Sequence, residues 1–334
     1  MLISSMTEAR RRLRSASSRH TPSTSILALT LALTFVSLLA ACSAPKAATP
    51  APAAAPGTPK VLAVETFLAD IAQNVAGDRL TVEALIPIGV DPHAFEPTPT
   101  DIRKVAESQV LIANGAGVES FLQKLLENAG GKRLIIEAAT GLTSRQPQDG
   151  ELLDADHGGN DPHFWLDPIQ VIKYTENIRD GLSQIDPAGK DIYAKNAEAY
   201  INKLRELDTW IAGQVQQVPE ARRLLVTNHE SFGYFADRYG FRVVGTVIPS
   251  VSTGASPSAQ QLAQLVDRLK ATHAPAIFLE MGANTQLADQ LAAETGITVV
   301  TDLYTHSVTE PGGVAPTYIE MMRQNVQKVV AALK

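Results

Sequence analysis

The chain has 334 residues, of which 45% are hydrophobic and 19% charged, and it holds one Cys. This composition excludes wholesale disorder, a collagen-like repeat and a disulfide scaffold, and a lone thiol cannot build a Cys-based zinc site. The net charge of −6 argues against a general nucleic-acid binder. The charge is unevenly spread: residues 1–41 hold five of the 29 basic residues and one of the 35 acidic ones, so the remainder carries −10.

The N-terminus reads as a leader. An Arg-rich stretch (Arg10, Arg11, Arg12, Arg14, Arg19) precedes an apolar run from Ile26 to Ala41 that is short for a bilayer-spanning helix. The run ends in Leu39-Ala40-Ala41-Cys42, the arrangement of a lipoprotein signal peptide over 1–41, with Cys42 lipidated after cleavage. Lipid chains on Cys42 would hold the body at the outer face of a membrane. An uncleaved signal anchor is the alternative. Residues 42–59, almost wholly Ala, Pro, Thr, Ser and Gly, read as a tether.

From Lys60 apolar strands alternate with amphipathic helices, the pattern of an α/β fold with parallel sheets. In a first array the strands are Lys60–Glu65, Leu80–Ile86, Val110–Ala113 and Leu134–Ala138, and the helices are Phe67–Ala76, Thr100–Ser108 and Glu119–Asn128. Gln170–Ile185 is a further helix, and Lys190–Val218 then runs with no Pro until Pro219. That length suits one rigid helix joining two lobes. A second array follows, with strands Arg223–Thr227, Val243–Ile248, Ala276–Glu280 and Ile297–Thr301. Its helices are Phe232–Arg238, Ser258–Thr272, Gln286–Thr295 and Thr317–Leu333. The expected organisation is an N-terminal lobe over 60–187, a linking helix over 188–219 and a C-terminal lobe over 220–334.

Chemistry concentrates in the histidines. His93 and His163 each follow an Asp-Pro dipeptide on a loop, where proline lowers the entropy lost on ordering. His229 follows the strand ending at Thr227, and Asp302 follows the strand ending at Thr301. Ligands in open α/β sheets bind beyond the C-terminal ends of strands, so these four residues could meet between the lobes. Three imidazoles and one carboxylate make a sound tetrahedral Zn²⁺ site. Glu280, at a strand end, is a candidate to accept the other ring N–H of a ligating His. His306 could support or compete with Asp302. His157 lies in an acidic segment, either solvated or loosely collecting metal, and His273 suits a helix C-terminus.

With these motifs in view, the sequence resembles the cluster A-I (cluster 9) solute-binding lipoproteins of bacterial zinc/manganese ABC transporters. The resemblance rests on PIGVDPHAFEPTPTDIRKVAESQVLIANG, DPHFWLDP, VTNHESFGYFADRYG, IFLEMGANTQLADQLAAETGI and VVTDLYTHSV, and covers 60–334. It implies two βα lobes bridged by one long helix, with metal held between them by His93, His163, His229 and Asp302. It implies an extracytoplasmic, lipid-anchored monomer that delivers a divalent metal ion to an ABC transporter permease, not an enzyme. His at the third position favours Zn²⁺, with Mn²⁺ as the alternative, since manganese-type members tend to have Glu there. The sequence lacks a long His-rich loop and a second-lobe disulfide, both found in zinc-type relatives. A zinc-dependent periplasmic hydrolase and a surface adhesin are the competing readings.

Overall fold

The structure is a computed structural model that describes residues 57–146 and 160–334. The expected signal peptide over 1–41, Cys42, most of the expected tether and His157 lie outside the described residues. Among the described residues no helix is long and apolar enough to cross a membrane.

Two four-stranded parallel sheets form the framework. The first contains β1 (Val61–Ala63), β2 (Val82–Ala84), β3 (Val110–Ala113) and β4 (Leu134–Glu137) in the order β2-β1-β3-β4. The second contains β5 (Leu224–Thr227), β6 (Arg242–Thr246), β7 (Ala276–Glu280) and β8 (Thr298–Leu303) in the order β6-β5-β7-β8. The two sheets therefore share one topology, as expected for an α/β protein with two βα lobes.

Period-two alternation splits each strand between two cores. In the first sheet Leu62, Val64, Leu111 and Ala113 face outward onto α2 (Pro99–Glu107) and α3 (Leu122–Ala129). Their neighbours Val61, Ala63, Val110 and Ile112 face inward, towards α1 (Thr66–Ala76) and α4 (Gln170–Ile185). In the second sheet Leu224, Val226, Ile277 and Leu279 face α7 (Ala259–Thr272) and α8 (Gln286–Thr295). Leu225, Val243, Ala276 and Phe278 point the other way, beside α6 (Gly233–Tyr239) and α9 (Tyr318–Leu333). The inward faces of both sheets belong to one continuous apolar core.

Helix α5 (Lys190–Val215) runs 26 residues, about 39 Å at 1.5 Å per residue. It stops three residues short of the span expected from sequence, because the chain after Val215 tightens into turns in which Val218 N–H donates to Val215 O. Tyr193, Ala197, Tyr200, Leu204, Leu207, Ile211 and Val215 recur at spacings of three and four and are all buried. That stripe packs on α1, α4 and α9, so the helix is a wall of the shared core as well as a bridge. Gly77 ends α1 with φ +59°, and a Cβ there would meet the Asn196 amide of α5 at 2.5 Å, so the close approach of α1 and α5 needs glycine.

Leu207 is fully buried on this stripe. Leu207→Ala is expected to cost ~2–5 kcal/mol of stability, from lost transfer energy and the cavity left behind. Chemical denaturation of the purified protein measures it.

Candidate metal centre

Four histidines meet between the sheets, each delivered by a different loop. In the first loop, after β2, the Asp91 carboxylate accepts the backbone N–H of His93 at 2.9 Å, and Pro92 opens a short 3₁₀ turn. The second Asp-Pro-His repeats the device: Asp161 Oδ1 accepts the backbone N–H of His163 at 3.0 Å. The repeated tripeptide is thus an Asx turn, with proline fixing the residue between acceptor and donor. Asp161 Oδ1 also accepts from His163 Nδ1 at 2.9 Å.

His229 lies two residues beyond β5, where Thr227 Oγ1 donates to its carbonyl at 2.8 Å. Its Nδ1 donates to Glu280 Oε1, at the end of β7. Glu280 Oε2 accepts from Thr305 Oγ1 at 2.8 Å and lies 3.3 Å from His306 Nδ1. The loop after β8 carries His306, and Trp165 Nε1 donates to Thr305 O at 2.6 Å beneath it. Trp165 in turn stacks on Phe67, with ring centroids 4.7 Å apart.

These anchors turn the opposite edges of the rings inward. His163 Nε2 lies 3.4 Å from His93 Nε2 and 3.2 Å from His229 Nε2. One ring nitrogen from each of the four histidines falls within 4.8 Å of all the others. His306 Nε2 is buried and has no hydrogen-bond partner. His163 and His229 each spend their Nδ1 proton on a carboxylate, so their neutral rings present lone pairs to each other. Lone pairs at this separation repel, and a cation at their focus relieves the repulsion.

The electrostatics keep the site ready to ligate. Burial, then the neighbouring His229, His93 and His306, hold the His163 ring well below its usual pKa, so the ring stays neutral and its Nε2 is free to ligate. Burial by itself would raise the Glu280 carboxyl, but His229 and His306 beside it bring it well below the usual range. It therefore stays an anion behind the imidazoles. His163, His229 and His306 are buried and His93 is half-buried, so His93 sits at the mouth. Beside it a cavity of about 350 Å³ opens between the Gly89–Ala94 segment and the β7–α8 loop, touching Glu280 and His306.

Asp302, expected from sequence as the fourth ligand, does not join the cluster. The strand continues to Leu303, which pairs opposite Glu280, and the register shifts by one residue after Val300 opposite Phe278. This is a β-bulge, and bulges re-aim the side chains that follow. Asp302 has φ +63° and is exposed, and its carboxylate accepts from Thr301 Oγ1 at 2.9 Å. His306, four residues on, occupies the place expected for Asp302. Glu280 lies against the His229 ring. The partnership of Asp161 with His163 was missed, although the repeated Asp-Pro-His carried the signal.

Residues 61–332 match the family model described as zinc-uptake complex component A, periplasmic (ZnuA). The chain belongs to this family. It is 35% identical to the manganese-binding lipoprotein MntA of Halalkalibacterium halodurans, over 82% of this chain and 88% of that one. It is 31% identical to the manganese ABC transporter substrate-binding lipoprotein PsaA of Streptococcus pneumoniae, over 82% and 89%. Among solved structures it resembles the periplasmic zinc binding protein TroA from Treponema pallidum (TM-score 0.74, 26% identity, covering 83% of this chain and 99% of that one). It is equally similar to a Mn-bound periplasmic metal binding protein from Candidatus Liberibacter asiaticus (TM-score 0.74, 26% identity, 83% and 100%).

A second polar cluster supports the His163 loop. Glu119 accepts the N–H groups of Asn114 and Gly115, Tyr174 donates to Asn114 Oδ1, and Asn114 Nδ2 donates to Pro162 O at 3.3 Å. Glu65 is buried against Glu119, and burial pushes both carboxyls up, Glu119 to about 7 and Glu65 well above the usual range. Raised folded-state values mean that the pair contributes stability below the ordinary carboxylate range. That contribution is lost as pH rises through about 7. Glu65→Gln removes one charge without removing bulk, and is expected to flatten this decline in a series of melting curves from about pH 4 to about pH 9.

Proposed function

We propose that this chain is an extracytoplasmic solute-binding protein that captures a divalent metal between its lobes and delivers it to an ABC transporter permease. The observation that carries this reading is the convergence of four imidazole edges, one of them a buried nitrogen without a partner. The ligands proposed are His93, His163, His229 and His306, in place of the set with Asp302. Family membership and relatives named for manganese and zinc binding support it.

The proposed cargo is Zn²⁺. Four neutral nitrogen donors match a tetrahedral, borderline-soft ion better than Mn²⁺, which prefers oxygen ligands. Glu280 and Asp161 each accept a hydrogen bond from a ligating ring, which orients the ring and strengthens it as a donor. Their two negative charges balance a dication although no ligand is itself charged. Four protein ligands fill a tetrahedral shell and leave no position for an activated water, so the reading is of a carrier and not of a hydrolase.

Cys42 at the end of the leader is the lipid attachment point, and the acidic body, as a monomer, draws cations towards the membrane face where a permease would receive them.

His306→Ala is expected to weaken zinc binding by orders of magnitude, while Asp302→Ala leaves it unchanged. Competition against a chromophoric chelator measures both. A loss in Asp302→Ala with His306→Ala unchanged would return the fourth position to Asp302. In a direct competition titration the parent protein should take Zn²⁺ in preference to Mn²⁺, and preferential manganese uptake would overturn the choice of cargo.

A further inference from the structure

His163 follows the N-terminal sheet in sequence, yet much of what holds its loop comes from across the cleft. Arg145 donates to Asp237 of α6 through Nε to Oδ2 at 2.7 Å and through Nη2 to Oδ1 at 3.2 Å. Its Nη1 lies 3.9 Å from Asp161 Oδ2, with the two side chains only 6% and 2% exposed. Burial leaves this attraction weakly screened. The space for the guanidinium depends on Gly233 at the start of α6, where a Cβ would meet Arg145 at 2.4–2.8 Å.

The backbone repeats the connection. Arg145 N–H donates to Tyr234 Oη at 3.3 Å, Tyr234 Oη–H donates to Asp161 O at 2.7 Å, and Asp161 N–H donates to Ser144 Oγ at 2.9 Å. A chain of contacts therefore runs from Asp237 through Arg145 and Asp161 to the His163 ring.

We infer that Arg145 is a positioning residue for the metal centre, holding Asp161 on α6 so that Asp161 fixes the Nδ1–H of His163 and aims its Nε2 at the metal. The inference rests on the metal-binding reading above. Its removal takes away the buried guanidinium 3.9 Å from Asp161 and the link to Asp237, and a carboxylate that loses this support is freer to shift. That shift frees the His163 ring.

The test uses the full chain and Zn²⁺ alone. Zinc affinity is measured by chelator competition for the parent, Arg145→Met, Arg145→Lys and Asp237→Asn, with the Co²⁺ absorption spectrum reporting ligand geometry. Arg145→Met is expected to weaken zinc binding ~10–100-fold, the usual effect of losing support behind a metal ligand. It should also alter the Co²⁺ spectrum. Arg145→Lys should recover part of the loss by restoring the charge, and Asp237→Asn should weaken binding in the same direction. An Arg145→Met protein with unchanged affinity and spectrum overturns the inference and leaves the proposed function standing. If that variant does not fold, Asp237→Asn decides, and unchanged affinity there also overturns it. A parent that binds no zinc overturns both readings.

Discussion

The mutual repulsion of imidazole lone pairs is the constraint around which this molecule is arranged. Left to itself, a cluster of neutral histidines would rotate apart or take up protons. Here two of the rings are held by carboxylates that occupy the far nitrogen, Asp161 for His163 and Glu280 for His229. Those carboxylates are themselves held, Glu280 by Thr305 and Asp161 by its own turn and by Arg145 nearby. Repulsion at the focus is sustained by attraction around it, a common arrangement where function requires a strained ground state.

The fold supplies the rigidity that this requires. Each sheet has a private core on its outer face and contributes its inner face to a core shared with the other sheet. Helix α5 lies along that shared core, and Trp165 crosses it, donating to Thr305 on the far side and accepting from Tyr318 Oη at its carbonyl. Displacing one sheet from the other would expose this apolar surface, at roughly 25 cal/mol for each Å² uncovered.

Most of the architecture could be read from sequence because its signals are local. Strands β3 and β7 and helices α4 and α8 fall on the residues that hydrophobic periodicity assigns. The loops of His93, His163 and His229 were legible because proline punctuation and strand ends mark them. The fourth position was not. A β-bulge adds one residue to a strand without disturbing its apolar composition, so Thr301 looked like the end of β8 when the strand continued to Leu303. The position of His306 depends on that pairing with β7, a long-range contact with no local signature. The same holds for Arg145, whose role exists only because α6 comes to lie against it.

The shared core also limits how a transporter could tell a loaded carrier from an empty one. A partner can discriminate two states only through surfaces that differ between them. With the two sheets joined through one interior, large relative swings are costly, and the differences available are those at the rim. The segment bearing His93 is the part of the site nearest solvent, clasped to the opposite lobe by Gly89 N–H to Ser307 Oγ and by Thr253 Oγ1 to Asp91. It also displays Ile88 and Val90 outward. Occupancy would thus be announced by a short lip of chain with an apolar edge, a readout of texture instead of shape.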